Sequence, residues 1–125
     1  DGKTLKYEIG TTITIEHNQS LYFIFALTNT DNDCNANSTP TLMLKALEGL
    51  WNKVRIEGNG IDVNLPLIGN GLSRIGLPPS QLLQLTLISL LKAVKERDLS
   101  STIRIVLTDD VFDKIDLEII KNNWK

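Results

Sequence analysis

The sequence is poor in the residues that disulfide, metal and nucleophilic chemistry draw on. Its 125 residues include one cysteine, Cys34, and one histidine, His17. An intrachain disulfide and a cysteine metal cluster are therefore both excluded. His17 falls in the polar turn His17-Asn18-Gln19-Ser20 with no nucleophile recognisably paired to it, so it is given no catalytic role. Cys34 sits among polar residues, without an adjacent cation to make it a reactive thiolate. Positive charge is also scarce: 13 Lys and Arg against 15 Asp and Glu give a formal charge of −2. Duplex nucleic acid needs a dense basic surface to displace counterions, so that partner class is disfavoured. An anionic membrane surface is no better attracted. Long apolar runs are missing too. The best candidate, Leu82 to Val94, is broken by Gln84, Thr86, Ser89 and Lys92 and reads as a buried helix rather than a span. The chain opens on Asp1 with no signal-peptide pattern, and the expectation is a domain cut from a longer protein.

What is present is ordinary globular material, 42% hydrophobic and 22% charged, in a length that suits one domain over residues 1–125. Thr12-Ile13-Thr14-Ile15-Glu16 alternates as a half-buried strand does. Leu21 to Leu27 is a continuous apolar run that suits a strand covered on both faces. Thr28 to Thr39 is polar throughout, with four Asn and two Asp, and reads as an ordered loop. Pro40 opens a helix to about Glu57, whose core face is Met43, Leu47, Leu50, Trp51 and Val54; Gly58-Asn59-Gly60 ends it. Val63 to Ile68 forms a short strand with Pro66 at an end or edge. Pro78-Pro79 opens a second helix through about Arg97, apolar on more than one side, as expected of a helix packed deeply on a sheet. Ile103 to Leu107 is a fourth strand. Asp109 or Asp110 is the expected cap of a final segment containing Phe112, Ile115, Leu117, Ile119 and Ile120. Strands alternating with helices imply a largely parallel sheet between helices.

In such sheets ligands bind beyond the carboxyl ends of the strands. Three segments should meet there: Thr28-Asn29-Thr30, Gly69 to Gly76, and Thr108 to Phe112. Gly69 and Gly71 let backbone amides approach an anion and turn freely. Successive amides in such a turn suit phosphate oxygens, and a following helix adds its positive end. Ser73 offers a hydroxyl and Arg74 a charge-assisted contact. Gly-x-Gly alone equally suits a tight strand-to-helix connection. Arg74 stands where a G-x-G-x-x-G motif needs its third glycine, and no P-loop lysine follows, so neither common nucleotide motif applies.

The stretch Val63-Asn64-Leu65-Pro66-Leu67-Ile68-Gly69-Asn70-Gly71-Leu72-Ser73-Arg74-Ile75-Gly76-Leu77 resembles the diphosphate-binding loop of Macro domains. Its continuation, together with Tyr7-Glu8-Ile9-Gly10-Thr11, Phe25-Ala26-Leu27-Thr28 and Trp51, is most similar to the Macro domain of the membrane effector in type II Thoeris anti-phage systems. The resemblance runs from Tyr7 to Trp124. It implies an α/β fold, a three-layer α/β/α sandwich with a mixed, largely parallel central sheet. It also implies a cytoplasmic, C-terminal sensor attached to transmembrane helices that lie outside this sequence. The implied ligand is histidine-ADP-ribose, made from NAD by a TIR-domain enzyme, and the implied response is homo-oligomerisation of the intact effector. The ligand-binding set implied is Glu8, Leu27, Thr28, Asn29, Ile68, Gly69, Asn70, Gly71, Leu72, Ser73, Arg74, Asp109 and Phe112. Within it, Phe112 is a candidate to stack on adenine, with core packing the alternative, and Glu8 to read the adenine amino group.

No catalytic residue, metal or resident cofactor is expected. Macro hydrolases use paired asparagines at a strand end, which Ala26-Leu27-Thr28-Asn29-Thr30 matches only in part. An ADP-ribosyl hydrolase is thus the second reading, and a structural module with an empty cleft the third. Asp31-x-Asp33-x-Asn35 has the start of a calcium loop, but Ala36 replaces the turn glycine and Leu42 the bidentate glutamate, which favours a solvated loop.

Overall fold

A computed structural model describes residues 7–30, 33, 36–70, 75–100 and 102–123. The alternating segment forms β1 (Thr12–His17), paired antiparallel with β2 (Ser20–Phe25) in the register Ile13↔Ile24 and Ile15↔Tyr22. Asn18 and Gln19, both at positive φ, make the two-residue turn expected between them. Phe23 and Phe25 face the core, but Tyr22 (52% exposed) and Ile24 (54%) do not. The run from Leu21 to Leu27 is therefore a strand covered on one face, not two. An apolar run does not say how many of its faces are covered; here α1 packs on one of them.

The polar loop holds a short antiparallel pair, β3 (Asn29–Thr30) and β4 (Ala36–Asn37), with Asn29 opposite Asn37. Asp31, Asn32, Cys34 and Asn35 lie outside the described residues. Helix α1 (Pro40–Glu57) has the expected bounds and buries all five residues read as its core face. Its N-cap is Thr39, whose hydroxyl accepts from the Leu42 amide. Strand β5 (Val63–Pro66) pairs in parallel with β6 (Ile103–Val106), and α2 (Pro79–Glu96) connects them, giving the β-α-β crossover foreseen from the element order. The described residues show three separate two-stranded sheets. The chain is a mixed α/β protein.

Helix α2 departs from the deeply packed helix expected. Leu82, Leu83, Thr86, Ser89 and Ala93 are buried, yet Ile88, Leu91 and Val94 remain exposed. Its second apolar side faces solvent. Thr108, rather than Asp109 or Asp110, caps α3 (Asp109–Asp113), accepting from the Val111 amide. The two aspartates fill the first turn, where the helix dipole also favours them. Helix α4 (Leu117–Asn123) follows, and Ile115 and Ile120 pack with Leu83 of α2.

The main core joins α1 and α2 to the inner residues of β2, β5 and β6. Three bonds fix how the helices and hairpin lie. Trp51 Nε1 donates to Ser89 Oγ at 3.0 Å, and an Arg55 guanidinium nitrogen donates to the Ala93 carbonyl at 2.8 Å. Thr14 Oγ1 donates to Glu57 Oε2 at 2.6 Å, tying β1 to the end of α1. Gly49, in the middle of α1, is needed where the helix passes the turn before β1, since a Cβ there would lie 2.1 Å from the Gly10 carbonyl oxygen. Among the described residues no helix is long and apolar enough to cross a membrane.

Candidate functional site

The carboxyl ends of three strands meet the starts of two helices. Gly69 occupies φ +89°, and a Cβ on it would come within 2.7 Å of Ile75 Cδ1, 3.1 Å of Leu82 Cδ2 and 3.5 Å of Met43 Sδ. Met43 lies in the opening turns of α1 and Leu82 in those of α2. The turn at Ile68-Gly69 thus rests against the first turns of both helices. The positive φ favours glycine there, and a Cβ would also have to displace the ends of the Ile75 and Leu82 side chains.

Strand β2 delivers its end to the same place. Ser38 Oγ donates to the Leu27 carbonyl at 2.8 Å, and Thr39 next to it starts α1. The Gly10 amide donates to the Ala26 carbonyl, and the Thr11 amide to the Glu8 carbonyl, so the turn carrying Glu8 lies beside Ala26-Leu27. Because β5 and β6 run in parallel with Pro66 level with Val106, their following segments, Ile68-Gly69-Asn70 and Thr108 to Phe112, also leave at one end. Leu27, Thr28, Ile68 and Gly69 are partly buried there, while Glu8, Asn29, Asn70 and Asp109 are exposed. Phe112 is 48% exposed, which removes core packing as its role. Gly71, Leu72, Ser73 and Arg74 lie outside the described residues.

The charges at this end are mixed: Glu8, Asp109 and Asp110 are acidic, while the two long helices bring their positive starts. Neither α1 nor α2 has an acidic residue in its first turn, so their positive ends are not neutralised from within. Helix α2 also starts on Pro78 with no side-chain cap. Sequence reasoning placed Pro40 at the head of α1 but passed over Ser38 and Thr39. The signal was a Ser-Thr pair directly before a helix-opening proline. It also missed that Met43 and Leu82, read only as core, form the seat of Gly69. Among the described residues there is no cluster of three or more potential metal-ligating side chains.

A family model described as the Thoeris protein ThsA, Macro domain, matches residues 1–108. The chain belongs to the ThsA Macro-domain family. The match takes in the whole Gly69 to Arg74 loop, the end of β2 and both long helices. It stops before Asp109 and Phe112, so these two site residues rest on position alone. Comparison with curated proteins returns no match.

Proposed function

We propose that this ThsA-type Macro domain is a non-catalytic sensor for an ADP-ribose-derived nucleotide, with histidine-ADP-ribose the ligand of choice. The observation that carries this reading is the Gly69 turn, at positive φ, seated between two helix starts that carry no acid. In this reading the amides of the Gly69 to Gly71 turn hold the diphosphate, with Ser73 and Arg74 beside it. Thr28 and Asn29 lie toward the distal ribose and its substituent, and Phe112 and Glu8 toward adenine. The three-layer α/β/α sandwich belongs to the same reading, supported by the parallel β5–β6 pair and its helical crossover.

A ligand shifts a conformational equilibrium only through unequal affinity for its states. The sensor therefore acts by favouring one assembly of a longer, membrane-attached effector, downstream of a TIR-domain enzyme that consumes NAD. Calorimetric titration with histidine-ADP-ribose, ADP-ribose and NAD tests it. Binding to the first two is expected, and silence with all three would sink the proposal. The competing ADP-ribosyl hydrolase reading draws on Asn29, which stands opposite Asn37 across β3 and β4. Release of ADP-ribose from a modified protein during incubation would favour it.

A further inference from the structure

The β1–β2 hairpin and the polar loop meet in two residues. Pairing along the hairpin runs up to Ala26, whose carbonyl accepts from the Gly10 amide and whose amide donates to the Thr11 carbonyl, both at 2.9 Å. Beyond Ala26 the neighbouring arm has turned away at Gly10, φ +93°. The next pairing begins at Asn29, opposite Asn37 across β3 and β4. Leu27 and Thr28 therefore bridge two antiparallel pairs, and the place of Thr28 and Asn29 depends on how that bridge is held. Ser38 holds it. Its Oγ donates to the Leu27 carbonyl at 2.8 Å, and the residue is only 7% exposed. Such a bond is costly to lose, because water is a poor substitute for a buried donor.

Two neighbouring hydroxyls serve different elements. Thr39 Oγ1 accepts from the Leu42 amide and caps α1, whereas Ser38 Oγ reaches back 11 residues to the end of β2. The start of α1 also keeps the bond from the Met43 amide to the Thr39 carbonyl at 2.8 Å, and Met43 is fully buried. The seat of the Gly69 turn is thus secured without Ser38. The place of Thr28 and Asn29 is not.

We propose that Ser38 is a positioning residue that sets ligand preference at the distal ribose, acting through Leu27 on Thr28 and Asn29. The proposal rests on the nucleotide reading above, and adds that the diphosphate end and the distal-ribose end are held by separate bonds. Ligands that share adenine and diphosphate but differ beyond them should then respond to Ser38 unequally. Calorimetric titration of wild type, Ser38→Ala and Thr14→Val with ADP-ribose and with ADP is the test, since ADP lacks the distal ribose. The wild type should bind ADP-ribose about tenfold or more tighter than ADP. Ser38→Ala should cut that preference roughly tenfold, through weaker ADP-ribose binding with ADP affinity held. It deletes a single oxygen, so the chain should stay folded, as melts on each variant would verify. Thr14→Val removes a structural hydroxyl bond at the far end of α1. It should lower the melting temperature comparably and keep the preference.

A wild type silent with both ligands would overturn the nucleotide reading and this proposal together. Other results overturn the Ser38 assignment and spare that reading. These are equal wild-type affinity for the two ligands, a preference that Ser38→Ala leaves intact, and ADP and ADP-ribose weakened alike. An equal change of preference in Thr14→Val would mark general loosening and overturn it too.

Discussion

The α1–α2 pair is finished differently at its two ends. Where the helices stop, each last turn holds a basic side chain: Arg55 lies in the last turn of α1 and donates across to the Ala93 carbonyl of α2, and Lys95 lies in the last turn of α2. Each last turn also ends on a glutamate, Glu57 in α1 and Glu96 in α2, so its single cation is balanced by an acid. Where the helices start, the first turns carry no acid, one helix lacks a side-chain cap, and a glycine turn takes the place beside them. The contrast with α3 is instructive, since its first turn holds Asp109 and Asp110. The same chain completes its short helix with acids and leaves its two long ones without them at the glycine end. The proposed nucleotide site lies at the end without acids in these two first turns.

Substitutions can separate the two ends, and the largest effect belongs to the starting end. Gly69→Val places a branched side chain at φ +89° against Ile75 and Leu82. It should cost about 3 kcal/mol of stability and abolish nucleotide binding, read by chemical denaturation and calorimetry. Trp51→Phe, in the middle, removes the bond to Ser89 and leaves a gap in the core. A loss of about 2 kcal/mol is expected, with a smaller decline in affinity as both helices loosen. Arg55→Gln strikes the finishing end. Its buried Nε has no partner, which offsets part of what its other bonds contribute, so about 1 kcal/mol should be lost while affinity stays unchanged. An equal loss of affinity from Arg55→Gln and Gly69→Val would erase the distinction between the ends.

The smallest effect is a pH dependence. The Glu57 carboxyl is held below its ordinary value by the Thr14 hydroxyl bond first and by Lys53 second. Its folded pKa is thus below the unfolded one. The contribution is fully present above the ordinary carboxylate range and is lost as pH falls through the folded value. Melting temperature should fall slightly on acidification, and Glu57→Gln should flatten that part of the profile.

Much of this arrangement was legible in the sequence because it rests on periodicity and on glycine and proline. Helix α1 could be bounded from Pro40 and Gly58, and its five apolar residues share one face by spacing alone. The crossover from β5 through α2 to β6 followed from element order. What could not be read was which apolar residues find a partner. Ile88, Leu91 and Val94 satisfy the same helical pattern as Leu82 and Leu83, and Tyr22 and Ile24 the same apolar run as Phe23 and Phe25. Burial depends on what packs opposite, and pattern does not encode that. The cap of α3 was misassigned because aspartate is favoured both at the N-cap and in the first turn. The glycine turn was found from its residues. Its seat on Met43 and Leu82 joins positions far apart in the chain, and only the fold brings them together.

The central claim is that the glycine turn is a diphosphate cradle. Its most direct test is the affinity of ADP-ribose for wild type and Gly71→Val, measured side by side by calorimetry on protein verified as folded. A branched side chain should obstruct approach of the phosphates to the turn amides. The account predicts clear binding by wild type and at least roughly tenfold weaker binding by the variant. Unchanged affinity in a folded Gly71→Val protein would contradict it.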